Sequence, residues 1–361
     1  MDRTARLILC LLTIVLFFST STHAAGTEEA TSQQSLTSQP VTIDSPATWS
    51  LQESITTAAP NTTIQLAAGT YTEILTIDKP LHLKGQGITQ TILTANSSMN
   101  GYAIQITAPG VIISDMTIIN IGPGLYTTGI KISAPNTTIQ SCVFENTPIG
   151  IALWSSQNSI RGCDFRGCDD EGIVLLGTST NPCTNNTIAS CTFSGNCDGI
   201  ELQYATHTII TACTFTKNTH AGIDAILSQN NQNVISSCTF TENAGFGLYL
   251  AGSCETVISQ CTFSDDTLTF VHAVNTTIQK SQTSHLQLLD GSSLLIQQCP
   301  GINTSAIITM QSTYEIRTEQ PHFLTLEKTA HVPPIYTLLL SLLSRCKNLK
   351  SFYEQFRQIR M

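Results

Sequence analysis

Four carboxylates in the middle of the chain lie at fixed positions beside Gly-Ile pairs. Glu171 and Asp198 directly precede such a pair, whereas Glu201 and Asp224 directly follow one. Carboxylates that are held close together raise one another's pKa or bind a hard cation, and two at about 5 Å suit a retaining glycosidase. These four side chains are therefore candidate catalytic groups of a polysaccharide lyase or glycoside hydrolase.

The same stretch of sequence contains a candidate metal site. Asp170 joins Asp198, Glu201 and Asp224 as a possible set of oxygen ligands, and His220 flanks them. Hard cations such as calcium prefer carboxylate oxygens, so calcium is the ion that this set favours.

Aromatic and basic residues near the carboxylates extend the candidate site. Tyr204, Phe246 and Tyr249 are candidates for stacking against a sugar ring. A lyase needs a basic side chain near its substrate, and Arg166 and Lys217 are the nearest in sequence. The alternative is that the carboxylates form a solvated acidic face on a structural protein.

A short repeat positions all of these residues. From about residue 110 the chain repeats Ile-x-x-Cys-x-Phe, and Gly-Ile-x-Leu follows eight or nine residues after the Cys in the first three full copies. The spacings between successive cysteines are 21, 28, 22, 25 and 23 residues. The cysteines of the six full copies are Cys142, Cys163, Cys191, Cys213, Cys238 and Cys261.

A period in the low twenties, with short alternating strands and no helical pattern between them, predicts a solenoid of β-coils. Each coil would hold about three strands, and coils would stack at about 4.8 Å, so that equivalent residues form columns. The Ile, Phe and Leu positions would point inward. Residues 45–312 would then give about eleven coils, and a short amphipathic helix within residues 46–59 would cap one end.

These repeats, together with Gln52, Ile55 and the Gly-Thr-Tyr-Thr-Glu segment at 69–73, resemble the right-handed parallel β-helix, pectate-lyase-like superfamily. Within it they are similar to the NosD-like and the carbohydrate-binding and sugar-hydrolase types. The resemblance implies an all-β fold but no single activity, because the superfamily includes lyases, hydrolases, epimerases, adhesins and accessory proteins. Residues 196–200 are similar to a polygalacturonase motif, yet that family's later His-containing and Arg-Ile-Lys motifs are missing.

The chain has 13 cysteines, and their placement decides between thiols and disulfides. The six repeat cysteines share one column, where Cys is a small buried residue and parallel side chains disfavour a bond between neighbouring coils. We expect a ladder of free thiols there, with vertical disulfides as the alternative. Cys168, Cys183, Cys197 and Cys254 lie off the column and are better candidates for disulfides.

The charge distribution argues against nucleic acid as a partner. The chain carries 16 Lys and Arg against 25 Asp and Glu, for a net charge of -9. Residues 25–313 contain only 7 of these bases but 20 of the acids. No basic groove could therefore neutralise a phosphate backbone.

The two ends of the chain differ from its body. Residues 1–24 combine two early Arg residues, an apolar run at 7–18 and small residues, which predicts a secretory signal. Residues 25–44 resemble a polar linker in composition. Within 313–361, apolar residues recur with helical spacing over 335–359 beside several bases. That amphipathic helix would cap the solenoid or contact a membrane surface or a protein partner.

Taken together, the sequence predicts a secreted or cell-surface β-helix protein. Its first expected function is carbohydrate binding or structural display, with a polysaccharide or surface glycan as partner. The second is an enzyme that acts on polysaccharides as a lyase, hydrolase or epimerase through the acidic face. The third is an accessory protein for metal delivery of the NosD kind, which rests on analogy of fold.

Overall fold

The computed structural model of the protein describes residues 41–43, 50–226, 229–283, 285–299, 302, 307–309, 312–317 and 324–325. The chain divides into two compact units, and all of these residues belong to the second, Ser38–Met361. They form an all-β parallel solenoid with one short helix, as the repeat predicts.

Three long sheets run along the solenoid, and their strands are numbered in chain order. Sheet 1 contains β1 (Val41–Ile43), β2 (Thr62–Leu66), β5 (Leu81–Lys84), β8 (Ile112–Ser114), β11 (Thr138–Gln140), β14 (Ser159–Arg161), β18 (Thr187–Ala189), β22 (Ile209–Thr211), β25 (Val234–Ser236), β28 (Val257–Ser259), β31 (Thr276–Gln279), β33 (Ser293–Gln297), β35 (Thr313–Arg317) and β36 (Leu324–Thr325). Sheet 2 contains β4 (Leu75–Ile77), β7 (Tyr102–Ile106), β10 (Thr128–Ile132), β13 (Ile149–Leu153), β16 (Glu171–Leu176), β20 (Asp198–Gln203), β24 (Ala221–Ala225), β27 (Phe246–Ala251), β30 (Thr267–Val271), β32 (His285–Leu289) and β34 (Ile307–Thr309). Sheet 3 contains β3 (Gly69–Thr72), β6 (Thr91–Ala95), β9 (Thr117–Asn120), β12 (Val143–Glu145), β15 (Asp164–Arg166), β19 (Thr192–Ser194), β23 (Thr214–Thr216), β26 (Thr239–Thr241) and β29 (Thr262–Ser264).

Each full coil contributes one strand to each sheet before the chain enters the next coil. The strands β11, β12 and β13, for example, pair in parallel with β14, β15 and β16 of the following coil. Two short strands, β17 (Cys183–Thr184) and β21 (Ala205–Thr206), form a separate parallel pair. The 11 described strands of sheet 2 match the predicted eleven coils.

The predicted inward columns fill the core. Six phenylalanines stack along sheet 3, with ring centroids of successive coils 4.8, 4.9, 4.9, 4.7 and 4.4 Å apart and ring planes within 8° of parallel. Each of the four inner rings therefore packs against a phenylalanine above and below it. The stacked rings are Phe144, Phe165, Phe193, Phe215, Phe240 and Phe263.

The glycine of the Gly-Ile pair lets sheet 2 lie against this aromatic column. A Cβ added to Gly199 would lie 2.5 Å from the carbonyl oxygen of Gly222 and 2.6 Å from Cδ1 of Phe215. Both contacts are too short for a real Cβ atom, so a side chain here would displace the backbone or the ring. The repeat therefore needs glycine at this position for packing.

The repeat cysteines are buried free thiols, as expected for a ladder. Cys213 is typical, since its thiol donates to the carbonyl oxygens of Thr211 at 3.3 Å and Ile188 at 3.7 Å. The expectation of disulfides off the column is wrong, because those four cysteines are also free thiols. Burial of a small side chain accounts for Cys168, Cys183 and Cys197 as well as for the ladder, whereas Cys254 is partly exposed.

A single described helix, α1 (Leu51–Thr57), closes the first coil. It begins later than residue 46, because Ser50 is extended and its side chain accepts a hydrogen bond from the backbone N–H of Glu53. The carboxylate of Glu73 accepts from the backbone N–H groups of Leu51 at 2.6 Å and Gln52 at 3.1 Å. Leu51 and Ile55 are fully buried, so the helix caps the core as predicted.

The β-structure extends past both predicted ends of the solenoid. The strand β1 lies within the predicted linker and pairs with β2, while β35 and β36 lie beyond residue 312. The predicted signal segment 1–24 and the predicted helix at 335–359 lie outside the described residues. Where the structure describes the chain, no helix has the length and apolarity to span a bilayer.

Candidate functional site

The four candidate catalytic carboxylates lie together on the outer face of sheet 2. The strands β16, β20, β24 and β27 are consecutive neighbours in this sheet. Their register pairs Glu171 with Asp198, and pairs Glu201 with Asp224 and Asp224 with Tyr249. The neighbours predicted from the repeat are therefore neighbours in the fold.

His220 completes a cluster with two of these carboxylates. It lies just before β24, and its Nδ1 atom is 2.8 Å from Oδ1 of Asp198 and 3.6 Å from Oδ2 of Asp224. Potential ligand atoms of Asp198, His220 and Asp224 all lie within 4.8 Å of one another. We call these three residues the Asp-His-Asp cluster.

The site is closed to solvent even though it lies on an outward face. Asp198 and Asp224 are each 2% exposed, Glu171 is 2%, Glu201 is 5% and His220 is 7%. The alternative of a solvated acidic face is therefore wrong for these residues. Carboxylates rarely occupy such a place without a partner or a chemical role, because burying a charge is costly.

Burial and mutual repulsion raise the pKa of several of these carboxyl groups. Burial, and then the charges of Asp170 and Glu201, raise the pKa of Glu171 well above its ordinary value. Burial likewise raises the pKa of Asp170 to about 7, and the two groups share a hydrogen bond. The Oε2 atom of Glu171 has no hydrogen-bond partner among the described residues.

The carboxyl group of Glu201, unlike Oε2 of Glu171, accepts a hydrogen bond from a neighbouring side chain. Its Oε1 atom accepts a short hydrogen bond from Nε2 of Gln203, two residues along β20. Burial, followed by the charge of Asp224, raises the pKa of Glu201 well above its ordinary value. Tyr126, in the loop before β10, lies near these carboxyl groups. Burial and the charges of Asp170, Glu171 and Glu201 raise the pKa of Tyr126 to about 12.

The predicted aromatic residues divide between two places. Phe246 and Tyr249 both belong to β27, and their ring centroids are 5.1 Å apart. Phe246 also meets His220 edge to face at 5.8 Å, so it helps to hold the imidazole in place. Tyr204 instead lies in the turn after β20, at the other end of that strand from Asp198.

The two basic residues considered for a lyase belong to another face. Arg166 lies in β15 of sheet 3 and pairs with Asp164 at 2.5 Å. Lys217 follows β23 of sheet 3 and pairs with Glu242 at 3.6 Å. Neither is placed to act as a base beside the carboxylates of sheet 2.

A ladder of asparagine side chains positions the turns that carry the site. The backbone N–H of Asn196 donates to Oδ1 of Asn218 at 3.1 Å, and that of Asn218 donates to Oδ1 of Asn243 at 3.1 Å. Asn243 continues the ladder by donating to Asp266 at 2.8 Å. The ladder fixes the turns before β20 and β24, from which the first carboxylate and the histidine of the cluster project.

The arrangement can perform two kinds of chemistry. One imidazole and two carboxylates within reach of one point form a ligand set for a divalent cation. A buried carboxyl with a raised pKa, such as Glu171, is the kind of group that can serve as a general acid. Both uses depend on the low dielectric of the closed site.

The fold is similar to that of several solved structures. A mannuronic acid specific polysaccharide family 6 lyase from human gut microbiota is 13% identical with a TM-score of 0.56, and the match covers 77% of this chain and 74% of that one. A PL6 family alginate lyase is 14% identical with a TM-score of 0.53, covering 76% and 47%. The catalytic domain of a GH87 alpha-1,3-glucanase is 14% identical with a TM-score of 0.51, covering 72% and 58%. At these identities the likeness concerns the fold alone.

Comparison of the sequence with other proteins identifies the family. No curated protein sequence matches the chain. Residues 86–292, more than half of the chain, match the family described as "Periplasmic copper-binding protein (NosD)", and the chain therefore belongs to the NosD family.

Proposed function

We propose that this is an exported β-helix protein that binds a divalent transition-metal ion at the Asp-His-Asp cluster. The observation that carries the proposal is the convergence of three ligand atoms within 4.8 Å in a buried site. The unpartnered Oε2 atom of Glu171, in the adjacent strand, supports it independently. A bound cation would offset the repulsion between these buried carboxylates.

The donor set favours a particular class of ion. Imidazole suits copper, zinc, iron and nickel, whereas calcium prefers oxygen ligands throughout. The presence of His220 therefore favours a transition metal over the calcium expected from carboxylates alone. Among the described residues the set consists of nitrogen and oxygen donors, which fits Cu(II) better than Cu(I). The description of the NosD family as copper-binding agrees with this choice.

The chain's own residues have distinct tasks in such a centre. Asp198 and Asp224 would supply anionic oxygens and His220 a neutral imidazole nitrogen, while Phe246 restrains the ring. When bound, Cu(II) would supply a redox-active Lewis acid. The neighbouring Glu171 and Glu201 can release protons as positive charge enters the site.

Metal titration of paired charge variants tests the proposal. The protein, freed of metal by chelation, is titrated with Cu(II), Zn(II) and Ca(II) while its thermal midpoint is followed. The double change Asp198→Asn and Asp224→Asn removes two ligands but keeps their shape. The control, Glu255→Gln with Asp265→Asn, removes two exposed carboxylates.

Cu(II) should raise the midpoint of the parent and of the control but not of the ligand variant. Without metal, the ligand variant should be at least as stable as the parent, because two repelling charges are gone. An equal Cu(II) response in the ligand variant would refute the site. A response to Ca(II) as large as that to Cu(II) would refute the class of ion.

A second candidate function is polysaccharide cleavage. It is favoured by one observation, the buried Glu171 in register beside Asp198, with burial raising the pKa of Glu171 well above its ordinary value. Phe246 and Tyr249 would then border the substrate, and related folds include lyases and a glucanase. Release of reducing ends from polysaccharides should be lost in Glu171→Gln. Cleavage that persists in this variant would remove Glu171 from the mechanism.

Export is the remaining part of the proposal. The three-part pattern of residues 1–24 and the periplasmic description of the NosD family both support it. The mature chain recovered from cells should begin after Ala24, which N-terminal sequencing would detect. A mature protein that retains Met1 would contradict export through a cleaved signal.

A further inference from the structure

A lysine beside two aromatic rings lies on sheet 2, away from the acidic cluster. Lys131 projects from β10, with its Nζ atom 2.9 Å from Oη of Tyr102. The same atom lies 4.6 Å from the ring centroid of Tyr102 and 5.4 Å from that of Trp154. Trp154 directly follows β13 and is 41% exposed, which is unusual for the largest aromatic side chain.

The charge of Lys131 lacks an acidic partner. Among the residues that the structure describes, no carboxylate oxygen lies within 4.0 Å of its ammonium. Arg166, Lys217 and Arg317, in contrast, each pair with an acid. Across the described strands of sheet 2, Lys131 is also the only Lys or Arg. A cation without a carboxylate partner thus lies beside two aromatic rings, on a sheet whose described strands carry no other Lys or Arg.

We propose that Tyr102, Lys131 and Trp154 bind a carboxylate-bearing sugar unit of a polysaccharide. The apolar face of the sugar ring would stack on the exposed face of Trp154, while its carboxylate would accept a charge-assisted hydrogen bond from Lys131. Tyr102 holds the ammonium in place through its hydroxyl. This binding site is separate from the metal centre proposed above and does not depend on it.

The occupant follows from the chemistry of the patch. A neutral sugar would use Trp154 but would leave the ammonium without an anionic partner. Nucleic acid would need several cations, and the described strands of this sheet supply one. A planar aromatic surface beside a single cation matches a ring that carries one carboxylate.

The patch is separate from the acidic site along sheet 2. The strand β10 is separated from β20 by three strand spacings, or about 14 Å along the stack. A cluster of buried apolar side chains lies between them, and Tyr126 packs against it. Its residues are Ile149, Ala152, Val174 and Leu176. A sugar unit bound at the exposed Trp154 is therefore separated from the closed acidic site by buried side chains.

Affinity electrophoresis with matched polysaccharides tests this binding. The gels contain either polygalacturonate or its methyl-esterified, uncharged form, with a chelator present so that no metal can bridge protein and glycan. The test variants are Lys131→Met and Trp154→Ala. Lys217→Met is the control, because it removes an exposed lysine from another face. Circular dichroism confirms that each variant is folded.

The parent and the control should bind the charged polymer at least about tenfold more tightly than the esterified one. Lys131→Met should lose that preference, and Lys131→Arg should retain most of it. Trp154→Ala should weaken binding of both polymers. The proposal is overturned if the parent binds neither polymer, if it binds both equally, or if Lys131→Met binds like the parent.

Discussion

The Nδ1 atom of His220 lies 2.8 Å from Oδ1 of Asp198, although the two residues are 22 positions apart and belong to successive coils. The stacking of coils thus brings an imidazole and a carboxylate into direct contact inside a buried site. Asp224 approaches the same nitrogen at 3.6 Å. One histidine therefore faces two carboxylates, which is the relationship from which the proposed metal centre is built.

The acidic site should make the stability of the metal-free protein depend on pH. Burial raises the pKa of Asp170 from 3.8 to about 7 and that of Glu171 well above its ordinary value. The folded protein then keeps protons that the unfolded chain has released, so the free energy of unfolding should fall as pH rises from about 4 to about 7. Thermal midpoints measured in chelator at pH 5 and pH 7 would show the decrease.

The variant Glu171→Gln is the control for that dependence. The amide keeps the shape of the carboxyl but cannot ionise, so the midpoint should change less between the two pH values. A midpoint of the parent that rises from pH 5 to pH 7 would contradict the raised pKa values of the site.

The aromatic column should be a major source of stability. Phe193 is fully buried between the rings of Phe165 and Phe215. Phe193→Ala would leave a cavity inside the column and should cost about 3–5 kcal/mol of unfolding free energy. Thr192→Ala, at the adjacent exposed position of β19, should cost less than about 0.5 kcal/mol. Denaturant unfolding would measure both, and equal losses would contradict the inward register.

The cysteine ladder should resist alkylation until the protein unfolds. A hydrogen bond with Cys191, together with burial, raises the pKa of Cys213 to about 12, and burial raises that of Cys163 well above its ordinary value. Since the thiolate is the reactive form, thiol reagents should modify these residues slowly in the native protein. Denaturation without reductant should then expose at least the six ladder thiols. Finding those six oxidised would contradict the ladder.

The repeat allowed the fold and the pairing of the carboxylates to be predicted. The recurring Gly-Ile pair sets the register even though the spacing between repeats varies, so Glu171 with Asp198 and Glu201 with Asp224 followed from their positions beside that pair. The closing of the site could not be predicted in this way, because outward positions of a strand are ordinarily exposed. Tyr126, in the loop before β10, lies close enough for the charges of Asp170, Glu171 and Glu201 to raise its pKa, and the repeat does not specify the conformation of that loop.

The contact of His220 with both carboxylates could not be predicted from the repeat either. It precedes its strand by one residue, and the direction of its side chain depends on the turn that the asparagine ladder holds. A signal for that ladder was present in the sequence, since Asn recurs three residues after the repeat Phe at 196, 218 and 243. Asparagine is frequent in turns for local reasons, so its recurrence did not by itself indicate contacts between coils.

Electron paramagnetic resonance of the protein with one equivalent of Cu(II) tests the metal centre most directly. The electron spin-echo modulation from a coordinated imidazole should appear in the parent and should be lost in His220→Gln. The matched control is His272→Gln, because His272 is an exposed histidine with a carboxylate oxygen of Asp290 at 3.9 Å. The control should keep the imidazole signal. An imidazole signal that persists in His220→Gln, or that is missing from the parent, would contradict a copper site at Asp198, His220 and Asp224.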